Sequence, residues 1–191
     1  MASGVKWESR LSNDTRFSDR AIILTDVETT GLDPRRHEII DIGAIKINQN
    51  LDVLDVFATK VKPQYISSAE PGALKINGYT PEAWINATHP WTAINEFQKF
   101  SAEGILCAWN ITFEFTFLDE MFREHKLANH MDYHRIDLPS IAWALIPGLS
   151  KFSLNSVGAH FNIPSEAEPH SAFGGAEYEL EVFRHLKGRL L

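Results

Sequence analysis

Apolar positions fall in short runs in the first third of the chain and at helical spacing after it. Ala21–Val27, Glu38–Ile47 and Leu51–Val61 are rich in Ile and Val and are separated by Gly31-Leu32-Asp33-Pro34 and by the polar Asn48-Gln49-Asn50. Runs of this kind bounded by turn residues read as strands, the last two as a hairpin. Pro90–Lys99 then carries Trp91, Ile94 and Phe97 three apart, which predicts a helix, and Ile105–Ala108 is a short buried strand. Phe113, Phe117, Leu118, Met121 and Phe122 mark one face of a helix over Ile111–Glu124. Ile136–Leu138 is a last strand. Pro139–Leu145 is a helix opened by proline, Leu154–His160 a short helix and Ala176–Leu186 the terminal one.

Three strands followed by alternating helices and strands predict an α/β fold. Its mixed central sheet has three antiparallel strands and then parallel ones, flanked by helices on both faces. Residues 1–20 are polar and aperiodic, a loosely structured N-terminal arm, and residues 21–191 form a single domain. No internal repeat or low-complexity stretch interrupts this order.

Composition narrows the function. At 191 residues, 44% of them hydrophobic, the chain can bury a substantial core. Its formal charge of -7 argues against a protein that coats nucleic acid electrostatically, but not against an enzyme that grips a strand end through metals. Cys107 stands alone in an apolar run and reads as a buried small hydrophobe. With no disulfide framework, no signal-like start and no apolar window of membrane-spanning length, the expected setting is cytoplasmic, away from membranes.

The chemistry lies in acids and one histidine. Asp26 and Glu28 stand two apart at the end of the first strand, so both side chains leave the same face, a seat for a divalent cation. Asn110 and Glu114 follow the short buried strand directly, at the start of a helix, where α/β folds gather ligands. His170 offers a side chain whose ordinary pKa near 6.5 suits a general base. Together these suggest metal-assisted hydrolysis.

Three blocks carry a family pattern: Asp26-Val27-Glu28-Thr29-Thr30-Gly31-Leu32, Asn110-Ile111-Thr112-Phe113-Glu114 and His170-Ser171-Ala172-Phe173-Gly174-Gly175-Ala176. Softer agreement comes from residues 38–44, 76–80 and 153–157. From about Ala21 to Leu186 the sequence resembles the DnaQ-like 3′-to-5′ exonucleases, the DEDDh family. The resemblance implies a ribonuclease-H-like fold and a phosphodiesterase using two Mg²⁺ or Mn²⁺ ions about 3.5–4 Å apart. It implies that Asp26 bridges the ions, Glu28 completes the water-activating site, Glu114 serves the second ion and His170 takes the proton from the nucleophile. Thr29, Thr30, Leu32 and Asn110 lie where the family holds the terminal nucleotide. The implied substrates are 3′ ends of single-stranded DNA or RNA, or short oligonucleotides, and because relatives include dimers a homodimer is open.

Two positions depart from the pattern. Glu114 stands where the family has Asp, one methylene longer, and Gly175 stands where it has its last Asp. The loss of a carboxylate there should weaken one ion and lower the rate. On a regular helix Glu177 points about 200° away from position 175, and Glu179 returns to the same face about 6 Å further along. Neither fits a regular helix. Gly174-Gly175 weakens the first turn, however, and a helix starting at Ala176 would let Glu177 swing toward the metals. The alternative function is a degenerate module that binds a nucleic-acid end, a nucleotide or a protein partner without hydrolysis. A hydrolase of small phosphodiesters such as dinucleotides is a third reading.

Other residues have plainer expectations. Asp41 is structural, the seven remaining histidines are surface or packing residues, and Trp91 and Trp143 sit at core spacing. Trp109 takes the place before Asn110 where the family often has histidine.

Overall fold

The computed structural model describes residues 16–166 and 168–189. Most of the N-terminal arm expected over residues 1–20 lies outside them. Five strands, β1 (Ile22–Thr29), β2 (Ile39–Ile47), β3 (Val53–Lys60), β4 (Ile105–Ala108) and β5 (Arg135–Asp137), form one sheet of order β3-β2-β1-β4-β5. The first three run antiparallel, and β4 and β5 add in parallel. Among the described residues six α-helices accompany them: α1 (Pro71–Ile76), α2 (Pro90–Ser101), α3 (Ile111–Glu124), α4 (Leu138–Leu145), α5 (Leu154–His160) and α6 (Ala172–Lys187).

Alternation along β1 sorts the core into two layers. Ile23 and Val27 face one side, where Phe97 of α2 and Phe117, Leu118 and Phe122 of α3 pack. Ile22 and Leu24 face the other, against Leu138 of α4 and Ala176, Leu180 and Phe183 of α6. Asp26 and Glu28 share the parity of Ile22 and Leu24, so both acids leave the sheet toward α6. The mixed sheet and the two helical layers are those expected, and Cys107 is buried as expected.

Four expectations need correction. Helix α1 was not expected; its six residues bury none of their side chains, so no apolar period announces it. The terminal helix starts at Ala172 instead of Ala176, because Ser171 caps it by accepting a hydrogen bond from the Gly174 N–H at 3.2 Å. Glu177 is consequently on a regular turn and exposed, and the swing toward the metals does not occur. Trp91 and Trp143 are 46% and 72% exposed, since helical spacing fixes a face but not which face is covered. No helix among the described residues is long and apolar enough to cross a membrane.

Candidate active site

The site forms where α6 lies directly on β1 and β2. Gly43 pairs with Asp26 across the two strands. A Cβ at Gly43 would fall on the peptide between Ala172 and Phe173, so glycine there lets the first turn of α6 touch the sheet backbone to backbone. Two residue pairs along, Asp41 faces Glu28 and its Oδ2 accepts a hydrogen bond from the Ala172 N–H at 3.3 Å. Asp41 thus anchors the helix start, the structural role expected of it.

This seating brings Gly175 onto Asp26. A Cβ at Gly175 would overlap the Asp26 Oδ2 and stand 2.8 Å from its Cγ. The Asp26 carboxylate therefore occupies the space that a side chain at 175 would need. Asn77 Nδ2 donates to the Thr29 carbonyl at 3.1 Å, and the Ile76 carbonyl accepts from the His170 N–H at 3.1 Å. The short helix α1 thereby ties the end of β1 to the segment carrying His170. Gly78, with φ +65°, leaves room for Pro169 just before that histidine. The His170 Nδ1 lies 3.7 Å from Glu166 Oε2, and its ring is about one-third exposed.

Glu114 reaches the same region from the first turn of α3, 4% exposed, with an Oε2 that accepts no hydrogen bond. Asn110, which precedes that helix, adopts the left-handed backbone (φ 67°), a conformation an Asn tolerates, and its side chain makes no cap. Asp137 steadies the junction: its Oδ1 accepts from the Ile111 N–H and its Oδ2 from the Ser140 N–H, at 3.3 and 3.2 Å.

The acids perturb one another strongly. Burial and then the Glu166 carboxylate push the Asp26 carboxyl up to about 7. Burial, Asp26 and Glu166 raise Glu28 to about 8, and burial followed by Asp26 raises Glu114 to about 9. Two acids not expected at the site join it. Glu166 acts from the loop before α6, and Glu179 is buried on α6 with its Oε1 accepting from the Trp109 N–H at 2.8 Å. Rise and angle alone place Glu179 away from the site; Glu166, one of two acids in the loop before His170, belongs to none of the motif blocks.

The turn after β1 is held internally. Thr29 Oγ1 donates to the Gly31 carbonyl at 2.7 Å, and Thr30 Oγ1 accepts from the Glu38 N–H at 2.9 Å. A Cβ at Gly31 would meet the His37 ring at 2.5 Å, which fixes glycine at the bend. Beyond it Leu32 stands 74% exposed. The structure thus brings Asp26, Glu28, Glu114 and the His170 segment together, and it leaves Leu32 and Asn110 open to solvent at the margin.

Hard carboxylate oxygens, two of them buried without partners on Glu114 and Glu179, suit a divalent cation of the Mg²⁺ or Mn²⁺ kind. Among the described residues no three His, Cys, Asp or Glu side chains converge closely enough to hold one ion as they stand.

The sheet order, the two helical layers and acids gathered at the end of β1 define the class: an α/β protein of the ribonuclease-H-like, DnaQ-like exonuclease type. The chain belongs to the exonuclease family whose model, RNase_T, matches residues 23–183. It is 33% identical over 175 residues to the DNA polymerase III PolC-type of Thermotoga maritima, covering 91% of this chain and 12% of that protein. It is 29% identical over 171 residues to the DNA polymerase III subunit epsilon of Rickettsia typhi, covering 87% of this chain and 73% of that one. The chain thus spans about an eighth of the PolC-type relatives' length. Among solved structures, E. coli exonuclease I in complex with a dT13 oligonucleotide shares the fold with TM-score 0.78 and 19% identity, over 90% of this chain and 42% of that one.

Proposed function

We propose that this protein is a divalent-metal-dependent 3′-to-5′ exonuclease acting on the ends of single-stranded nucleic acid. The observation that carries the reading is that acids of β1 and α3, Asp26, Glu28 and Glu114, gather beside the His170 segment, with burial raising all three carboxyls. Carboxyls perturbed this strongly by burial and by one another mark candidate functional sites. The single-stranded oligonucleotide seen with exonuclease I supports the substrate class.

Asp26, Glu28 and Glu114 hold Mg²⁺ or Mn²⁺. Bound there, the ions supply Lewis-acid charge for the phosphodiester and lower the pKa of water. His170 is the general base: its Nδ1 faces Glu166, so the Nε2 is the nitrogen left to take the proton from the attacking water. Leu32 presents an apolar wedge for the terminal base, while Thr29 and Thr30 fix the turn that carries it. Asn110, exposed at the start of α3, faces the incoming strand.

A time course on a 5′-labelled single-stranded oligonucleotide with Mn²⁺ tests this. The expected result is a ladder shortening from the 3′ end with the native chain and none with Asp26→Asn. Binding of the oligonucleotide without shortening, in Mn²⁺ and in Mg²⁺, would replace the exonuclease by a binding module.

A further inference from the structure

Glu179 has no part in the reaction as described above, yet it is the most deeply buried acid of the site. It is 1% exposed, and while its Oε1 takes the Trp109 N–H, its Oε2 is buried and accepts no hydrogen bond. The charges acting on it most strongly are Asp26 and then Glu114, both carboxylates. An ionised carboxylate in such a place is costly unless a cation or donors offset it.

Helix geometry explains how it arrives there. Glu179 lies one turn beyond Gly175, about 40° round the helix. The Cα–Cβ bond of a helical residue tilts toward the N-terminus, so the side chain covers the turn before its own Cα. The Glu179 side chain therefore leads back toward the level of Gly175, where the Asp26 and Glu114 carboxylates act on it. At that level Gly175 offers no side chain, and Asp26 Oδ2 fills the space beside it.

We propose that Glu179 is a metal ligand, supplying from one turn further along α6 the carboxylate that position 175 lacks and closing, with Asp26 and Glu114, an all-oxygen seat for a divalent cation. The inference rests on the metal-dependent reading above. The rival role, a neutral acid that only holds the Trp109 N–H, is open to Glu179→Gln, because the amide oxygen accepts the same hydrogen bond.

Mn²⁺ binding to the full chain at pH 8, by calorimetry and by the Mn²⁺-induced rise in thermal midpoint, separates them. Removing even outer partners of metal ligands costs about 10–100-fold in affinity, so E179Q is expected to lose at least about tenfold for one ion. Asp26→Asn should lose binding. Glu179→Asp, which keeps the charge but not the reach, should lose affinity like E179Q and serves if the amide variant does not fold. Wild-type affinity and stoichiometry in E179Q or E179D, with loss in D26N, overturns the role of Glu179 alone. A wild-type chain indistinguishable from D26N overturns the metal reading and this inference with it.

Discussion

The carboxylate of Asp26 and the Cα of Gly175 meet with no room for a further carbon between them. The glycine therefore lets a strand acid and a helix approach more closely than any other residue would allow. Gly175→Ala separates two effects of opposite sign. Alanine favours the helix by up to about 1 kcal/mol, but overpacking typically costs about 1–3 kcal/mol, and the atom that must yield is Asp26. The expected outcome is a small fall in thermal midpoint and a large loss of Mn²⁺-dependent cleavage. An alanine variant with wild-type cleavage would show that Asp26 turns aside freely. By the same contact, Gly175→Asp should not improve the native site.

Gly43→Ala tests the seating of α6. Its new methyl would meet backbone, which cannot rotate away. Urea unfolding should show a loss of about 2 kcal/mol, within the usual range for overpacking, together with lower activity as α6 lifts from Asp26.

Stability of the metal-free protein should fall with rising pH. Asp26, Glu28 and Glu114 are raised to about 7, 8 and 9, so the folded chain binds more protons than the unfolded one above the ordinary carboxyl range. The slope of unfolding free energy with pH is then negative. Their contribution is fully present below about pH 4 and is lost as pH rises through the folded values. In chelator, the melting midpoint should drop between pH 6 and pH 9, and less so for Asp26→Asn. Mn²⁺ needs the ionised acids, so its stabilisation should be larger at pH 8 than at pH 6, with protons released on binding. A midpoint in chelator that climbs over this range would contradict the raised carboxyls.

His170→Ala removes the proposed base. General-base catalysis is typically worth about 10²–10⁴-fold, and a loss of that size in single-turnover rate is expected. Because the ring is partly exposed, the midpoint and Mn²⁺ affinity should stay near wild type. A rate close to wild type would take His170 out of this role.

Much of the fold was legible in the sequence because its signals were local. Runs rich in Ile and Val, bounded by turn residues, place β1 to β3, and the apolar face from Phe113 to Phe122 places α3 with the bounds observed. Gly174-Gly175 reads as a helix breaker, so the sequence alone places the start of α6 at Ala176, four residues past the observed Ala172. What holds that turn is the Ser171 cap, Asp41 and the close approach at Gly43, two of them contacts more than 100 residues distant in sequence. At the site, Asp26, Glu28, Glu114 and His170 stood out by spacing and family pattern. Glu179 did not, because rise and angle per residue ignore the backward tilt of the side chain.

Where α6 meets Gly43 the contact is main chain against main chain, with no rotamer to adjust. The height of the helix above β2 is fixed by hard-sphere contact between main chains, with no slack for side chains to take up. The acids of β1 and those of α6 are therefore held to a fixed separation, as two jaws of a vice are by its screw. A side chain added at Gly43 or Gly175 would fall directly on this contact and push the jaws apart.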